Sequence, residues 1–126
     1  MLKGEAKKAL SKKAKKGFKG YPVATVAFYG PNDKKATKLV VGIVRDEHVE
    51  ADQIKKWYSD DDIRKESDVF EEILDFIQTN GARSVGMLDR IMGCPHEEGI
   101  DYPQGQSCPL CPYWAGRNRW TGRVEH

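Results

Sequence analysis

The sequence predicts a small α+β domain: a three-stranded sheet built from a hairpin and a crossover strand, two helices, and a C-terminal loop stapled by zinc. Three observations lead there. Two runs rich in β-branched and aromatic residues flank a turn, a strongly periodic apolar helix follows, and all three cysteines lie within residues 92–114, where apolar periodicity has stopped. A chain of 126 residues, 39% hydrophobic and 32% charged, suits one soluble domain. Residues 1–20 read as a lysine-rich flexible tail. Residues 21–126 read as the domain, with its zinc-binding segment at 89–122.

The tail holds eight lysines and one glutamate, a local charge of +7 that leaves −5 on the remaining residues. Ala6, Leu10, Ala14 and Phe18 recur every four residues, a thin stripe for a lysine-rich helix that Gly17 and Gly20 would end. With only two sizeable apolar groups in that stripe, a disordered, solubilising tail is the expectation. No apolar stretch follows the lysines, so no secretory signal is expected. No run approaches the roughly 18 apolar residues of a membrane span. A cytoplasmic location without a membrane partner follows.

"YPVATVAFYG", bounded by Pro22 and by Gly30-Pro31, reads as a strand. "GPNDKKAT" is a turn and "KLVVGIV" a second strand, so the pair forms an antiparallel hairpin. Both strands are apolar on both faces, which predicts a sheet covered on at least one side, and Gly42 marks a bulge or a close contact. "VEADQIKKWYS" is spaced as a short helix with Ile54, Trp57 and Tyr58 on one side. "DVFEEILDFIQTNG" is the clearest element: Val69, Phe70, Ile73, Leu74, Phe76 and Ile77 share a face, Asp68 with Glu71 forms a capping-box-like start, and Asn80-Gly81 a stop. "ARSVGML" is a third strand, parallel to a hairpin strand because helices intervene. From Asp89 onward Gly, Pro and polar residues take over, and such a segment needs a staple.

The odd cysteine count and a reducing compartment argue against disulfides. Cys94, His96, Cys108 and Cys111 supply three sulfurs and one nitrogen, a donor set for tetrahedral Zn²⁺. Cys108-Pro-Leu-Cys111 lets two thiolates reach one ion from a tight turn, and Cys94-Pro-His96 is a tighter pair made feasible by the long imidazole. The 11 residues between the pairs are enough for a loop that returns to its start. Binding energy at such a site is folding energy, which is the staple the segment lacks. Free thiols in a loop, and iron–sulfur or redox use of the C-x-x-C, are the alternatives.

His96-Glu97-Glu98 with Cys108-Pro-Leu-Cys111 also resembles the zinc-dependent nucleoside and nucleobase deaminases. That resemblance implies His96, Cys108 and Cys111 as ligands, a water at the fourth position, and Glu98 as acid/base. Only nine residues separate Glu98 from Cys108, too few for the helix remainder, loop and strand of that fold. Ser107 replaces the proline before the cysteine pair, and Cys94 is well placed to take the water's position. The longer stretch "DRIMGCPHEEGIDYPQGQSCPLCPYWAGRNRWTG" resembles a group of small uncharacterised bacterial proteins with a D-R-x-x-G-C-P-H-E-E-G-x-D-Y-P…C-P-x-C signature. The resemblance covers most of residues 21–122. It implies a common fold and a common site and brings no activity with it.

The functional reading is therefore a non-enzymatic zinc-containing binding module, with nucleic acid as the first partner and another protein as the second. A zinc-dependent hydrolase of deaminase-like chemistry is the competing class. Candidate nucleic-acid contacts are Lys7, Lys8, Lys12, Lys13, Lys15 and Lys16 in the tail, and Arg117, Arg119 and Trp120 after the site. Interleaved arginine and aromatic side chains stack bases and neutralise phosphates. The plainer alternative is that Trp114 and Trp120 cover a small core. Glu97, Glu98 and Asp101 either accept from His96 or are solvated. His48 reads as a surface residue, and the run Asp60 to Asp62 lacks the other ligands of a cation site.

Overall fold

The computed structural model describes residues 5–97, 99–106 and 108–115, with residues 88 and 89 described by their backbone alone. Among these the chain forms helix α1 (Glu5–Lys15), strands β1 (Val23–Tyr29), β2 (Lys38–Val44) and β3 (Gln53–Tyr58), a 3-10 turn at Ile63–Lys65, helix α2 (Ser67–Thr79), strand β4 (Ser84–Ile91) and a second 3-10 turn at Pro112–Trp114. The sheet order is β3-β2-β1-β4. β1 and β2 form the expected antiparallel hairpin, and β4 returns parallel to β1, as a crossover strand does.

The sheet has four strands rather than three, because residues 53–58 form β3 and not a helix. Ile54, Trp57 and Tyr58 have helical spacing, yet the segment pairs antiparallel with β2 from Ile43↔Gln53 to Lys38↔Tyr58. Pairing satisfies the edge of β2, and it turns Trp57 inward while Ile54 and Tyr58 remain exposed. Trp57 packs edge-to-face on Phe76 at 6.3 Å, and its indole N–H donates to Glu72 at 2.9 Å. Lys55 and Lys56 then line the free edge and discourage pairing with another chain.

Residues 5–15 also differ from the sequence expectation. They form helix α1 rather than part of a flexible tail, because the thin stripe finds an acceptor surface: Ala6 and Leu10 are buried in the common core, and Ala14 packs beside it. α1 lies against α2 and β4. Phe18, the fourth member of the stripe, is exposed.

Helix α2 buries Val69, Phe70, Ile73, Leu74 and Ile77, as its periodicity predicts, with Phe76 partly buried. It starts one residue earlier than Asp68, and its cap residue Glu66 makes no side-chain capping bond, so the Asp68–Glu71 box does not form. It stops at Asn80, where Gly81 adopts φ +67° and lets the Ala82 N–H return to the Ile77 carbonyl at 3.1 Å. The inner sheet face, Ala24, Val26 and Phe28 of β1 with Leu39, Val41 and Ile43 of β2, meets both helices in one core. Gly42 marks a close contact: a Cβ there would come within 3.1 Å of Ala51 and 3.2 Å of Thr25. Among the described residues no helix is long and apolar enough to cross a membrane.

The β1–β4 ladder contains a register shift between Val26↔Met87 and Phe28↔Ile91. Such irregularities re-aim a strand. Here the Met92 N–H still reaches the Phe28 carbonyl at 2.7 Å, and the chain leaves the ladder directly into the cysteine-bearing segment.

Burial of Leu10 sets a test of the docked helix. Leu10→Ala is expected to cost about 2–5 kcal/mol by lost transfer energy and cavity formation. Lys8→Gln, on the exposed side of α1, should stay within about 0.5 kcal/mol. Denaturant melts of both variants, with amide exchange in residues 5–15, measure the difference.

Candidate metal centre

Cys94 and His96 leave β4 on one turn, and Cys108 and Cys111 come from a second turn, Cys111 N–H donating to the Cys108 carbonyl at 3.3 Å. The loop between them folds back and brings the two pairs into one cluster of four. His96 Nδ1 lies 3.3 Å from Cys94 Sγ, 3.4 Å from Cys108 Sγ and 3.5 Å from Cys111 Sγ. All four donor atoms fall within 4.8 Å of one another. Around one tetrahedral ion, with metal–sulfur bonds of about 2.3 Å and metal–nitrogen bonds of about 2.0–2.1 Å, nitrogen–sulfur edges come to about 3.6 Å and sulfur–sulfur edges to about 3.8 Å. The cluster matches that spacing, so the Cys-Cys-His-Cys set can hold a metal ion.

The cysteines are buried or half-buried. Burial, and then the neighbouring Cys94 thiol, push the Cys111 thiol well above its ordinary value, and burial raises Cys94 as well. Cys94 and Cys111 therefore resist ionisation unless a dication offsets the charge. Ligation through Nδ1 leaves the far imidazole nitrogen available for an outer partner.

The fold holds both turns from a single glycine. Gly30 donates its N–H to the Gly93 carbonyl at 2.8 Å, just before Cys94, and its carbonyl accepts the Trp114 indole N–H at 2.7 Å, just after Cys111. A Cβ at Gly30 would lie 1.8 Å from the Lys35 carbonyl oxygen, so the position requires glycine. Trp114 packs against the core, which favours its reading as core cover. Within the first turn, the His96 N–H donates to Cys94 Sγ at 3.2 Å and orients that sulfur.

Lys38 is the residue that sequence reasoning missed. It stands at the head of β2, yet its side chain is only 6% exposed. Its ammonium donates to the Pro95 carbonyl at 3.0 Å, lies 3.8 Å from Glu97, and stacks between the rings of Tyr29 and Tyr58 at 5.9 and 5.7 Å. An uncompensated buried ammonium costs several kcal/mol. Here a carbonyl, a carboxylate and two ring faces offset that cost, and three thiolates on a dication would add one net negative charge nearby. A lysine opening a strand reads as solvated, so nothing in "KLVVGIV" signals the contact. Lys38 also helps line a cleft of about 760 Å³ beside His96 and Cys111.

Glu97 does not serve His96. It accepts from Lys56 at 2.6 Å, and that bond, followed by the charge of Lys38, holds its carboxyl below the usual range. Asp101 accepts the Glu97 N–H at 2.7 Å and pins the turn after the first ligand pair. His48 is exposed beside Glu47, as expected, and Asp62 caps the first 3-10 turn through the Arg64 N–H rather than binding a cation. Lys8, Lys12, Lys13, Lys15 and Lys16 are exposed on or just past α1. Lys7 instead reaches back to the Arg64 carbonyl at 3.1 Å and over the Phe70 ring. Glu98, Arg117, Arg119 and Trp120 lie outside the described residues. Comparisons with family models, with curated proteins and with solved structures find no match for this chain.

Two outcomes test the centre. Lys38→Met is expected to lower metal affinity about 10–100-fold, the range for loss of an outer partner, whereas Lys55→Met on the exposed edge leaves it unchanged. Competition with a chromophoric chelator measures both. The second test is pH. Raised thiol values mean the metal-free fold binds more protons than the unfolded chain, so its stability is intact below about pH 8.5 and falls as pH rises beyond that. The metal-loaded form behaves oppositely, because protons compete for the thiolates as pH falls. The melting-temperature gap between loaded and metal-free protein should therefore widen from about pH 6 to about pH 9.

Proposed function

We propose that the chain is a zinc-stapled nucleic-acid-binding module whose metal is structural. The observation that carries the binding half is α1 itself. Ala6 and Leu10 of its apolar stripe are committed to the core, and it presents Lys8, Lys12, Lys13, Lys15 and Lys16 on a docked scaffold. A fixed row of cations loses less entropy on meeting a polyanion than a floating tail does. The rest of the chain carries net negative charge, which makes the α1 lysines the main cationic contribution to attachment.

Zn²⁺ is the ion that suits three thiolates and one imidazole in a closed tetrahedron. When bound it supplies a cross-link between the two turns and no reaction chemistry, since Cys94 fills the position a catalytic water needs. The hydrolytic alternative requires that position open. Arg117, Arg119 and Trp120 remain proposed stacking and phosphate contacts that favour single strands.

Fluorescence anisotropy with single- and double-stranded oligonucleotides across a salt series tests the module. Contact with about four phosphates gives a log–log salt slope of about −3 to −4. Lys8→Glu, Lys12→Glu and Lys15→Glu together should weaken binding at least about tenfold and flatten the slope. Absence of binding to any oligonucleotide at about 20 mM salt, where screening is weak, would refute the reading.

A further inference from the structure

Where the end of α1 meets the start of β4 there is a cleft of about 330 Å³, and four of its lining residues are cations: Lys13, Lys16, Lys19 and Arg83. Among the described residues no carboxylate lines it. Among the described residues none of the four forms an ion pair, whereas Arg45 sits on Asp52, Arg64 on Asp62, and Lys56 on Glu97, each at 2.6–2.7 Å. Four like charges brought together without a counter-charge repel one another, so such a group is poised for an anion.

The cluster is held by the backbone. Ser84, nearly fully buried, donates its hydroxyl to the Gly20 carbonyl and accepts the Lys19 N–H, both at 2.7 Å. The Arg83 N–H donates to the Pro22 carbonyl at 2.8 Å. Gly20 adopts φ +110° beside the Arg83 guanidinium, a conformation that L side chains rarely take. Lys19 and Arg83, 64 positions apart in sequence, therefore face the same cleft from anchored segments.

We propose that this cleft binds a phosphate group, and that the phosphate belongs to a nucleic-acid backbone. The planar fork of Arg83 suits two phosphate oxygens, and the lysines neutralise the remainder as point charges. A polymer is favoured over a free anion because the exposed lysines at 8, 12 and 15 continue the cationic surface along α1 for about 10 Å. A membrane surface is disfavoured because Ala6 and Leu10 are committed to the core, leaving α1 no apolar face to insert. The identity of the ligand rests on the nucleic-acid reading above; the cleft does not.

The test compares Arg83→Gln with Lys65→Gln, an equal charge change on the exposed 3-10 turn away from the cleft. At about 50 mM salt the affinity for a 12-nucleotide oligothymidylate should fall about tenfold or more with Arg83→Gln and less than about threefold with Lys65→Gln. Equal losses would overturn the cleft, even with nucleic-acid binding intact. If Arg83→Gln perturbs folding, Lys13→Gln with Lys16→Gln replaces it, because those side chains are exposed and make no ion pair among the described residues. Inorganic phosphate titrated into the full chain separates the two levels. Amide shifts centred on Lys19, Gly20, Arg83 and Ser84 in a protein that ignores oligonucleotides would reject the nucleic-acid occupant and leave a free phosphate. No shifts, together with no oligonucleotide binding, would overturn the site altogether.

Discussion

The structure depends on the convergence of four soft donors in a segment with little core of its own. Residues 92–115 contribute Met92, Cys108 and Cys111 as buried apolar groups, with Trp114 packed at the margin, while Ile100 and Leu110 face solvent. Hydrophobic burial at that density does not order two dozen residues against their conformational entropy. A metal ion held by the four donors would close the loop between the two pairs, and structural zinc sites of this donor type contribute on the order of 10 kcal/mol. The segment is tied to the sheet by Gly30 and Lys38: they bond to the Gly93 and Pro95 carbonyls at the first pair, and the Gly30 carbonyl accepts from the Trp114 indole just after the second. Metal site and hairpin thus form one unit: the turn between β1 and β2 is also the platform for both ligand turns.

Much of this was legible in the sequence where one local pattern dominated. α2 is marked by its apolar face, and the hairpin and β4 by β-branched runs between turn residues. The four clustered donors are marked by residue type and spacing, which depend on chemistry more than on fold. β3 is not legible because Ile54, Trp57 and Tyr58 fit a helical period over a stretch too short for periodicity to decide, and its state is set by the open edge of β2. α1 is hard to read for a related reason. Two apolar side chains cannot hold a helix in isolation, and only the groove beside α2 and β4 makes Ala6 and Leu10 sufficient. The outer layer of the site was not legible at all. Gly30 and Lys38 lie more than 50 positions from the residues they hold, and nothing local distinguishes that glycine from an ordinary turn residue or that lysine from a solvated one.

The charges are segregated in the same economical way. Around the donor cluster, Lys38 and Lys56 each have a carboxylate or carbonyl partner, and Glu97 ties the two into one network. On the opposite end of the sheet, cations gather without a carboxylate among the described lining residues. The first arrangement serves cohesion, and the second is the one we propose for an anionic partner. The two lie at opposite ends of the sheet, so a variant at one end is expected to leave the other readable.

The most direct measurement of the central claim is X-ray absorption at the metal edge of the full chain loaded with Zn²⁺. Three sulfurs at about 2.3 Å and one nitrogen at about 2.0–2.1 Å are expected, with no oxygen in the first shell. Two sulfurs with one nitrogen and one oxygen, unchanged by Cys94→Ala, would mean that Cys94 is not a ligand and that the site is open, contradicting a closed structural centre.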